Sequence, residues 1–373
     1  MAMEDKDYQE YLKSFVDTHQ DKLRYIPKMR GIKDFDFVDE TSVKNKVGGQ
    51  ATKWCVRANK MYFRDLIKEI KNNSNSSYET CYTKNEIEQG NIPEYFSVVI
   101  KEPESECSID ADVFGSRILN YFGVPVAYNR RIDKAYPNYS SDKYLMSVDF
   151  LRPNETFVEL SEVISFGEGM EIKWFARKGM DRVIECIDFY LDKYLRERNI
   201  KFNEGDIAKY NSYFISSLLT RVYLMNDNDF RNGNIGIILN KKEKSFRPAP
   251  NFDLEKCFSF KEDGLKFNVV ADIYKKFPNE YADFIYRTYQ FVVDDGTGES
   301  DCSKLAKKSI KNSDHAVEFI NNIYKNASQI LKTAEELVKH LDSVEAENEQ
   351  VEASANLQNS KTQPVESGKE SDK

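Results

Sequence analysis

The first half of the chain shows short apolar runs separated by polar segments, a pattern typical of β-strands. Three such runs predict strands over residues 53–58, 96–101 and 143–150, the second of which reads FSVVIK. Between the last two lies DADVFGSRILNYFG, whose apolar residues recur at helical spacing and whose final Gly123 precedes a Val-Pro stop. The pattern therefore predicts a mostly β segment that contains one clear helix.

The second half of the chain is mostly helical in pattern. Apolar residues three and four apart predict helices over 180–198 and 206–226, and again over 303–341. A polar loop, NDNDFRNGN, interrupts them at 226–234, and the apolar run, turn and extended run that follow predict a β-hairpin within 235–253. Strands first and helices afterwards predict an α+β fold in two lobes, with a ligand cleft between them.

Composition narrows the class of protein. The 373 residues are 40% hydrophobic and 13% aromatic, which is enough to bury a sizeable core. Every apolar run is far shorter than the ~20 residues of a membrane helix, and the charged start MAMEDKDYQEYLKSF does not resemble a signal peptide. The six cysteines are scattered without a C-x-x-C pair, which favours reduced thiols over a zinc site. We therefore expect a cytoplasmic protein with no membrane segment.

The net charge of −8 is unevenly distributed. Residues 342–373 hold eight acids against three lysines and no aromatic residue, which predicts a disordered acidic tail. The rest of the chain is nearly neutral, so we expect no direct nucleic-acid binding. The predicted organisation is an extension over 1–45 with no assigned role, a first lobe over 46–150, a helical lobe over 151–341 and the tail.

Three polar residues around the hairpin suit phosphoryl transfer. Asp229 and Asn234 lie in the polar loop, and Asp253 follows the hairpin. Because antiparallel strands return the chain to its starting end, Asn234 and Asp253 should emerge side by side. Two oxygen ligands at one point suit Mg²⁺, and Asp229 would lie close enough to accept a hydroxyl proton.

Phosphoryl transfer also needs a lysine for the α- and β-phosphates, and Lys101 at the end of its apolar strand fits that need. Asp112 on the following helix could orient it. In the turn VGGQATK, Gly48 and Gly49 precede Lys53 and can bring backbone N–H groups close to phosphates. Taken singly, Lys101 also suits a strand end that faces solvent, the glycine turn suits a plain turn, and Asp112 suits an acid at a helix N-terminus. Their order along the chain favours phosphoryl transfer.

This order of motifs resembles the HipA-like kinases, a bacterial branch of the protein-kinase-like fold. The family's loop N-x-D-R-H-x-G-N-x-G corresponds to residues 226–236, and its P-x-x-D segment corresponds to 250–253. The helix that leads into GVPV, the VGGQATK turn and the strand MSVDFL also resemble parts of the family. The resemblance covers about residues 45–260, and more loosely continues to 335. It implies a two-lobed fold with a small β-rich N-lobe and a larger, mostly helical C-lobe.

The resemblance implies a kinase that uses ATP and Mg²⁺ and phosphorylates a Ser or Thr hydroxyl of a protein, this chain included. It implies Asp229 as catalytic base, Asn234 and Asp253 as Mg²⁺ ligands, and Lys101 as the phosphate-binding lysine paired with Asp112. The residues that it implies around the nucleotide are the glycine turn (Gly48, Gly49, Lys53) and the adenine-binding backbone (Met146, Ser147, Val148, Asp149).

Departures from the family's pattern leave two other functions open. Phe230-Arg231 stands where Arg-His follows the catalytic aspartate, Asp112 stands where glutamate is usual, and a long insertion covers 62–91. The first alternative is an inactive nucleotide-binding relative that works as an interaction module. The second is a small-molecule phosphotransferase, although those enzymes resemble H-G-D-x-x-x-x-N and this chain has Asp227-Asn228, with no histidine, directly before Asp229.

Overall fold

The structure is a computed structural model that describes residues 35–37, 52–92, 95–132, 144–164, 180–231, 233–258, 267–294 and 296–361. In chain order its strands are β1 (Phe35–Phe37), β2 (Thr52–Asn59), β3 (Tyr78–Glu79), β4 (Tyr95–Glu102), β5 (Val126–Ala127), β6 (Asn129–Ile132), β7 (Tyr144–Val148), β8 (Glu155–Glu159), β9 (Gly236–Asn240) and β10 (Ser245–Pro248). Its α-helices are α1 (Arg64–Asn72), α2 (Lys84–Glu88), α3 (Glu106–Tyr121), α4 (Leu160–Val163), α5 (Met180–Glu197), α6 (Glu204–Leu218), α7 (Phe267–Lys276), α8 (Pro278–Val292), α9 (Asp301–Ser309) and α10 (Ser313–Lys361).

A five-stranded antiparallel sheet of order β1-β2-β4-β7-β6 occupies the first part of the chain. The three predicted strands are confirmed as β2, β4 and β7, and they are neighbours in this sheet. Within β4, Phe96, Val98 and Ile100 are fully buried. Because side chains alternate along a strand, Lys101 lies on the face opposite Ile100. The register places Lys101 beside Lys53 of β2 and Leu145 of β7.

Helix α3 is the predicted helix between the second and third strands, and it begins a few residues earlier than its apolar pattern indicated. Ser105 caps it, since its side chain accepts a hydrogen bond from the backbone N–H of Ser108 at 3.1 Å. It ends as predicted, with Gly123 at φ +74 in the left-handed region that glycine adopts without strain. Residues Asp110 and Asp112 are buried along it, so the helix presents acids toward the protein interior.

The predicted hairpin is confirmed by β9 and β10, which pair antiparallel from Ser245 opposite Asn240. Strand β8 adds to the other edge of β9 and makes a three-stranded sheet. At Gly236 a Cβ atom would lie 2.1 Å from the backbone oxygen of Val158, so this position of β9 requires glycine. The loop before the hairpin and the segment after it therefore leave the same end of a short, well-defined sheet.

The helical second part matches the predicted pattern with one local difference. Helix α6 is followed by a π-helix over Leu219–Leu224 instead of continuing as an α-helix to residue 226. The wider turn places Arg221 in the interior, where it is fully buried. Such π-turns are frequent at functional sites. Asn226 then takes φ +50 and starts the polar loop.

The last helix corrects the expectation for the acidic segment. Helix α10 runs to Lys361, so residues 342–361 are helical and only 362–373 lie outside the described residues. The segment is rich in Glu, Ala and Gln, which favour helix, and extending an existing helix avoids the cost of nucleation. Among the side chains of α10 whose burial the structure describes, the last buried one is Leu337.

One hydrophobic cluster joins the sheet, α3 and the C-terminal helices. The rings of Phe114 on α3 and Phe258 have centroids 5.3 Å apart, and Phe258 stacks on Phe319 of α10 at 4.6 Å. These contacts fix α3 between the sheet and the helical part. The fold is mixed α and β, and the division into two lobes stays a prediction. Among the described helices, none combines the length and apolar character needed to cross a bilayer.

Candidate active site

Lys101 lies between two carboxylates that reach it from distant parts of the chain. Its Nζ atom donates a hydrogen bond to Oδ1 of Asp253 at 2.8 Å, and lies 3.8 Å from Oδ2 of Asp112. All three side chains are largely shielded, with 9% of the lysine side chain exposed. The structure thus brings together three residues that the sequence singled out, and Asp253 is the nearer partner of the lysine.

The carboxylates of Asp253 and Asp112 stabilise the charged form of Lys101. Burial alone would lower the pKa of the lysine, but the carboxylates of Asp253 and Asp112 outweigh it and raise the pKa above its ordinary value. Lys101 therefore carries a positive charge throughout the physiological pH range. A buried, charged lysine is suited to bind phosphate oxygens.

Asp112 is positioned by backbone as well as by charge. Its Oδ1 atom accepts hydrogen bonds from the backbone N–H of Leu254 at 2.8 Å and from Nδ2 of Asn129 at 3.2 Å. The expected pairing of Asp112 with Lys101 is thus a longer ion pair of 3.8 Å, because the Asp112 carboxylate also bonds to the backbone of Leu254. A glutamate at position 112 would have one methylene more with which to reach the lysine.

The polar loop places Asp229 and Asn234 against each other. The Nδ2 atom of Asn234 donates to both the backbone oxygen of Asp229 at 2.9 Å and its Oδ2 at 3.0 Å. Asn234 is buried, whereas 32% of the Asp229 side chain is exposed. Arg231 adds an ion pair, with Nε 3.3 Å from Oδ1 of Asp229. The carboxylate that could accept a substrate proton is therefore solvent-accessible and held from one side by an amide.

A buried arginine organises this loop. Nε of Arg221 donates to Oδ2 of Asp227 at 2.7 Å, and its guanidinium also reaches the backbone oxygens of Asn234 at 3.4 Å and Asp253 at 3.3 Å. Asp227 in turn accepts from the backbone N–H of Asp229 at 2.8 Å. One guanidinium thus holds both predicted Mg²⁺ ligands by their backbone. Sequence reasoning missed Arg221, although a lone arginine in the apolar run SLLTRVYLM was a signal for a buried, paired charge.

The P-x-x-D segment is held by its asparagine. Asn251 is fully buried, accepts from Arg221 at 3.2 Å and donates to Oγ of Ser217 and to the backbone oxygen of Pro125, both at 3.0 Å. Asp253 then adopts φ +58, a left-handed conformation that Asp tolerates better than most residues. The turn aims its carboxylate at Lys101. Asn251 belongs to the P-x-x-D segment, but no role was predicted for it from the sequence.

Phe230 explains one departure from the family's loop. It is fully buried, and the guanidinium of Arg221 lies over its ring at 5.0 Å from the centroid. The ring of Phe214 on α6 is a further neighbour at 6.3 Å. An apolar residue after Asp229 therefore packs beneath the loop, and the arginine that follows it, Arg231, faces solvent beside the carboxylate.

The acids of the site can form a cation site. Carboxylate oxygens of Asp112, Asp253 and Glu255 lie within 4.8 Å of one another. Burial and the nearby Asp253 carboxylate raise the pKa of Glu255 above its ordinary value, which reports crowding of negative charge. Carboxylate oxygens are the hard donors that Mg²⁺ binds, and the ion commonly uses one or two carboxylates. Glu255 was not predicted from the sequence.

The remaining predicted nucleotide residues are less defined. Met146 and Ser147 pair with β4 on one edge and β6 on the other, and the backbone N–H groups of Val148 and Asp149 already donate to Tyr128 and Ser97. The assignment of adenine to this backbone therefore stays a prediction. Just beyond it, the rings of Phe150 and Phe252 stack with centroids 5.9 Å apart and join this strand end to the Asp253 turn. Gly48, Gly49 and the side chain of Lys53 lie outside the described part of the structure.

Comparison with known proteins gives distant structural neighbours. No family model and no curated protein matches the sequence. The chain is similar to the Helicobacter pylori proinflammatory kinase CtkA, with 17% identity and a TM-score of 0.40 over 66% of this chain and 92% of that one. It is also similar to HipA of the Shewanella oneidensis MR-1 toxin–antitoxin system, whose structure contains HipA, HipB and operator DNA. Here the identity is 11% and the TM-score 0.41, over 87% of this chain and 70% of that one.

The second neighbour bears the name of the family that the sequence motifs resemble. At TM-scores of 0.40 and 0.41, neither likeness carries an argument about the fold or the chemistry of this chain.

Proposed function

We propose that the protein is an ATP- and Mg²⁺-dependent kinase that transfers the γ-phosphate to a Ser or Thr hydroxyl of a protein. The observation that carries the proposal is the contact of Lys101 with Asp253 at 2.8 Å, beside a loop in which Asn234 holds Asp229. A buried cation, paired acids and a partly exposed carboxylate are the parts that phosphoryl transfer needs. They come from a strand, a loop and a turn that lie far apart in the sequence.

The proposed roles follow from exposure and charge. Asp229, the exposed acid, accepts the proton of the attacking hydroxyl, and Asn234 orients it. The hydroxyl oxygen forms a bond to the γ-phosphorus while the bond from that phosphorus to the β-bridging oxygen breaks, which leaves ADP. Lys101 holds phosphate oxygens, and Asp253 with Asn234 would hold the Mg²⁺. When bound there, the metal supplies positive charge to the β- and γ-phosphate oxygens.

The direct test is transfer of labelled γ-phosphate from ATP by the full chain, to itself and to added protein. We expect Asp229→Asn to lower the rate by about 10²- to 10⁴-fold while nucleotide binding is retained. Asp253→Asn should lose both transfer and the Mg²⁺ dependence of binding. Asp192→Asn, at an exposed acid of α5, is the matched control and should change neither. Transfer at the wild-type rate in both site variants would disprove the residue roles.

The ion pair between Arg231 and Asp229 favours a second candidate, a nucleotide-binding module with little turnover. In that case ATP with Mg²⁺ raises the melting temperature although no phosphate is transferred. Arg231→Ala then separates the two functions. If the ion pair with Arg231 only restrains Asp229 and Asp229 can act as the base, the variant gains transfer activity. A binding module stays inactive.

Several expectations from the sequence remain proposals. They are the protein nature of the acceptor, the glycine turn at Gly48 and Gly49, the adenine backbone at 146–149 and a cytoplasmic location. Mass spectrometry after incubation with ATP would test the first of these most directly, because it detects self-phosphorylation and locates the modified residue.

A further inference from the structure

A cavity of about 630 Å³ lies outside the set of residues that form the candidate active site. Its walls come from α1, β3, α3, α8 and α9, and its lining includes none of Lys101, Asp229, Asn234 or Asp253. Helix α3 contributes Arg117 to the cavity, while Asp112 of the same helix faces Lys101. Its volume is in the range of small-molecule sites, about 300–1,000 Å³.

Cationic side chains dominate the charge of this cavity. They are Lys68, Arg117, Arg287 and Lys308, against the acids Asp65 and Glu69. Glu69 is already used, because its Oε1 accepts from Nδ2 of Asn73 at 2.9 Å and of Asn120 at 3.4 Å. Among the described residues, neither Lys68 nor Lys308 forms a salt bridge. The cavity therefore offers two exposed ammonium groups on different helices, α1 and α9, that no protein acid neutralises there.

Arg117 supplies an independent observation. Its Nε atom is buried and has no hydrogen-bond partner among the described residues. The guanidinium lies 5.9 Å from the ring centroid of Tyr128, which is also in the cavity wall. A buried donor without a partner is uncommon, and this Nε can donate to an acceptor bound in the cavity. Arg287 also lines the cavity, and its Nε already donates to Oδ2 of Asp283 at 2.7 Å and its Nη1 to the backbone oxygen of Tyr121 at 2.8 Å.

We infer that this cavity binds a phosphate-bearing ligand. Arginine and lysine side chains from four helices line one cavity, and such side chains recognise phosphate oxygens. The tyrosine rings and asparagine amides of the walls are suited to the organic part that carries the phosphate. The two sources of such a group are a phosphorylated side chain of a protein segment and a free nucleotide. The inference does not depend on the proposed kinase function, since the cavity residues do not include Lys101 or Asp229.

The test is calorimetric titration of the full chain with inorganic phosphate, phosphoserine peptide and AMP at constant ionic strength. We expect saturable binding that Lys68→Gln/Lys308→Gln weakens about tenfold or more, since a charge-assisted hydrogen bond contributes roughly a factor of ten. The matched control is Lys71→Gln/Lys332→Gln, which removes the same charge from exposed positions on α1 and α10 outside the cavity. It should bind as the wild type does.

The arms of the titration also identify the source of the phosphate. Tighter binding of the peptide than of AMP indicates a protein segment, and the reverse order indicates a nucleotide. Arg117→Met should abolish binding, and the lysine pair keeps the test valid if that variant does not fold. Equal affinity in both double variants, no saturable binding by any of the three probes, or loss of binding in Lys101→Met instead, would overturn the inference.

Discussion

Replacing Arg221 by methionine is the sharpest test of how the loop is held. The guanidinium and its partner Asp227 are both fully shielded, and Nε lies 2.7 Å from Oδ2. Methionine keeps much of the volume but leaves the carboxylate buried without its counter-ion, which typically costs about 3–5 kcal/mol. The variant also loses the bonds to the backbone of Asn234 and Asp253. Since domains are stable by only about 5–15 kcal/mol, we expect a large fall in the free energy of unfolding.

The assay is urea unfolding followed by circular dichroism, on Arg221→Met, Asp227→Asn and the double variant. Asparagine removes the charge at 227 and can still accept from the N–H of Asp229. We therefore expect the double variant to be more stable than the sum of the single changes by about 1–3 kcal/mol. Arg196→Met, which breaks an exposed ion pair on α5, is the control and should leave the unfolding curve unchanged. Additive effects, or a loss below about 1 kcal/mol in Arg221→Met, would refute the reasoning.

Three further outcomes are expected. Because the folded-state pKa of Lys101 lies above its unfolded value, its stabilising contribution is complete below about pH 10 and lost only above it. The stability difference between wild type and Lys101→Met should therefore be constant from pH 7 to 9.5 in denaturant titrations, and a decline by pH 8 would contradict this. Gly236→Ala should lower the free energy of unfolding by about 1–3 kcal/mol, because its Cβ meets a backbone oxygen at 2.1 Å, whereas Gly233→Ala, with 3.5 Å, should not. Deleting residues 346–373 should leave the melting temperature unchanged, since Leu337 is the last buried side chain of α10 among those whose burial the structure describes; a clear drop would show that the acidic helix packs on the fold.

The strands, the long helices and the hairpin could be predicted from the chain because their apolar residues repeat at a local period. The three strands before residue 150 and the hairpin after 234 all appear in the structure. Prediction failed for residues 342–361, where composition indicated disorder and the structure continues a helix. Low hydrophobicity there does not exclude a helix of good helix formers that grows from a packed one.

Residue types and their order predict phosphoryl transfer, from a strand lysine, a polar loop with Asp229 and Asn234, and an aspartate after a hairpin, and that chemistry stays a proposal. The contacts between these residues could not be predicted, because contacts between residues far apart in the sequence depend on how the elements pack. Only the folded chain shows that Lys101 forms its hydrogen bond with Asp253 and not with Asp112. It also shows that Arg221 bonds to the backbone of both Asn234 and Asp253, and that Glu255 lies beside Asp112 and Asp253. A local pattern specifies an element and its buried face, whereas a site is made where several such faces meet, so its geometry belongs to the tertiary structure.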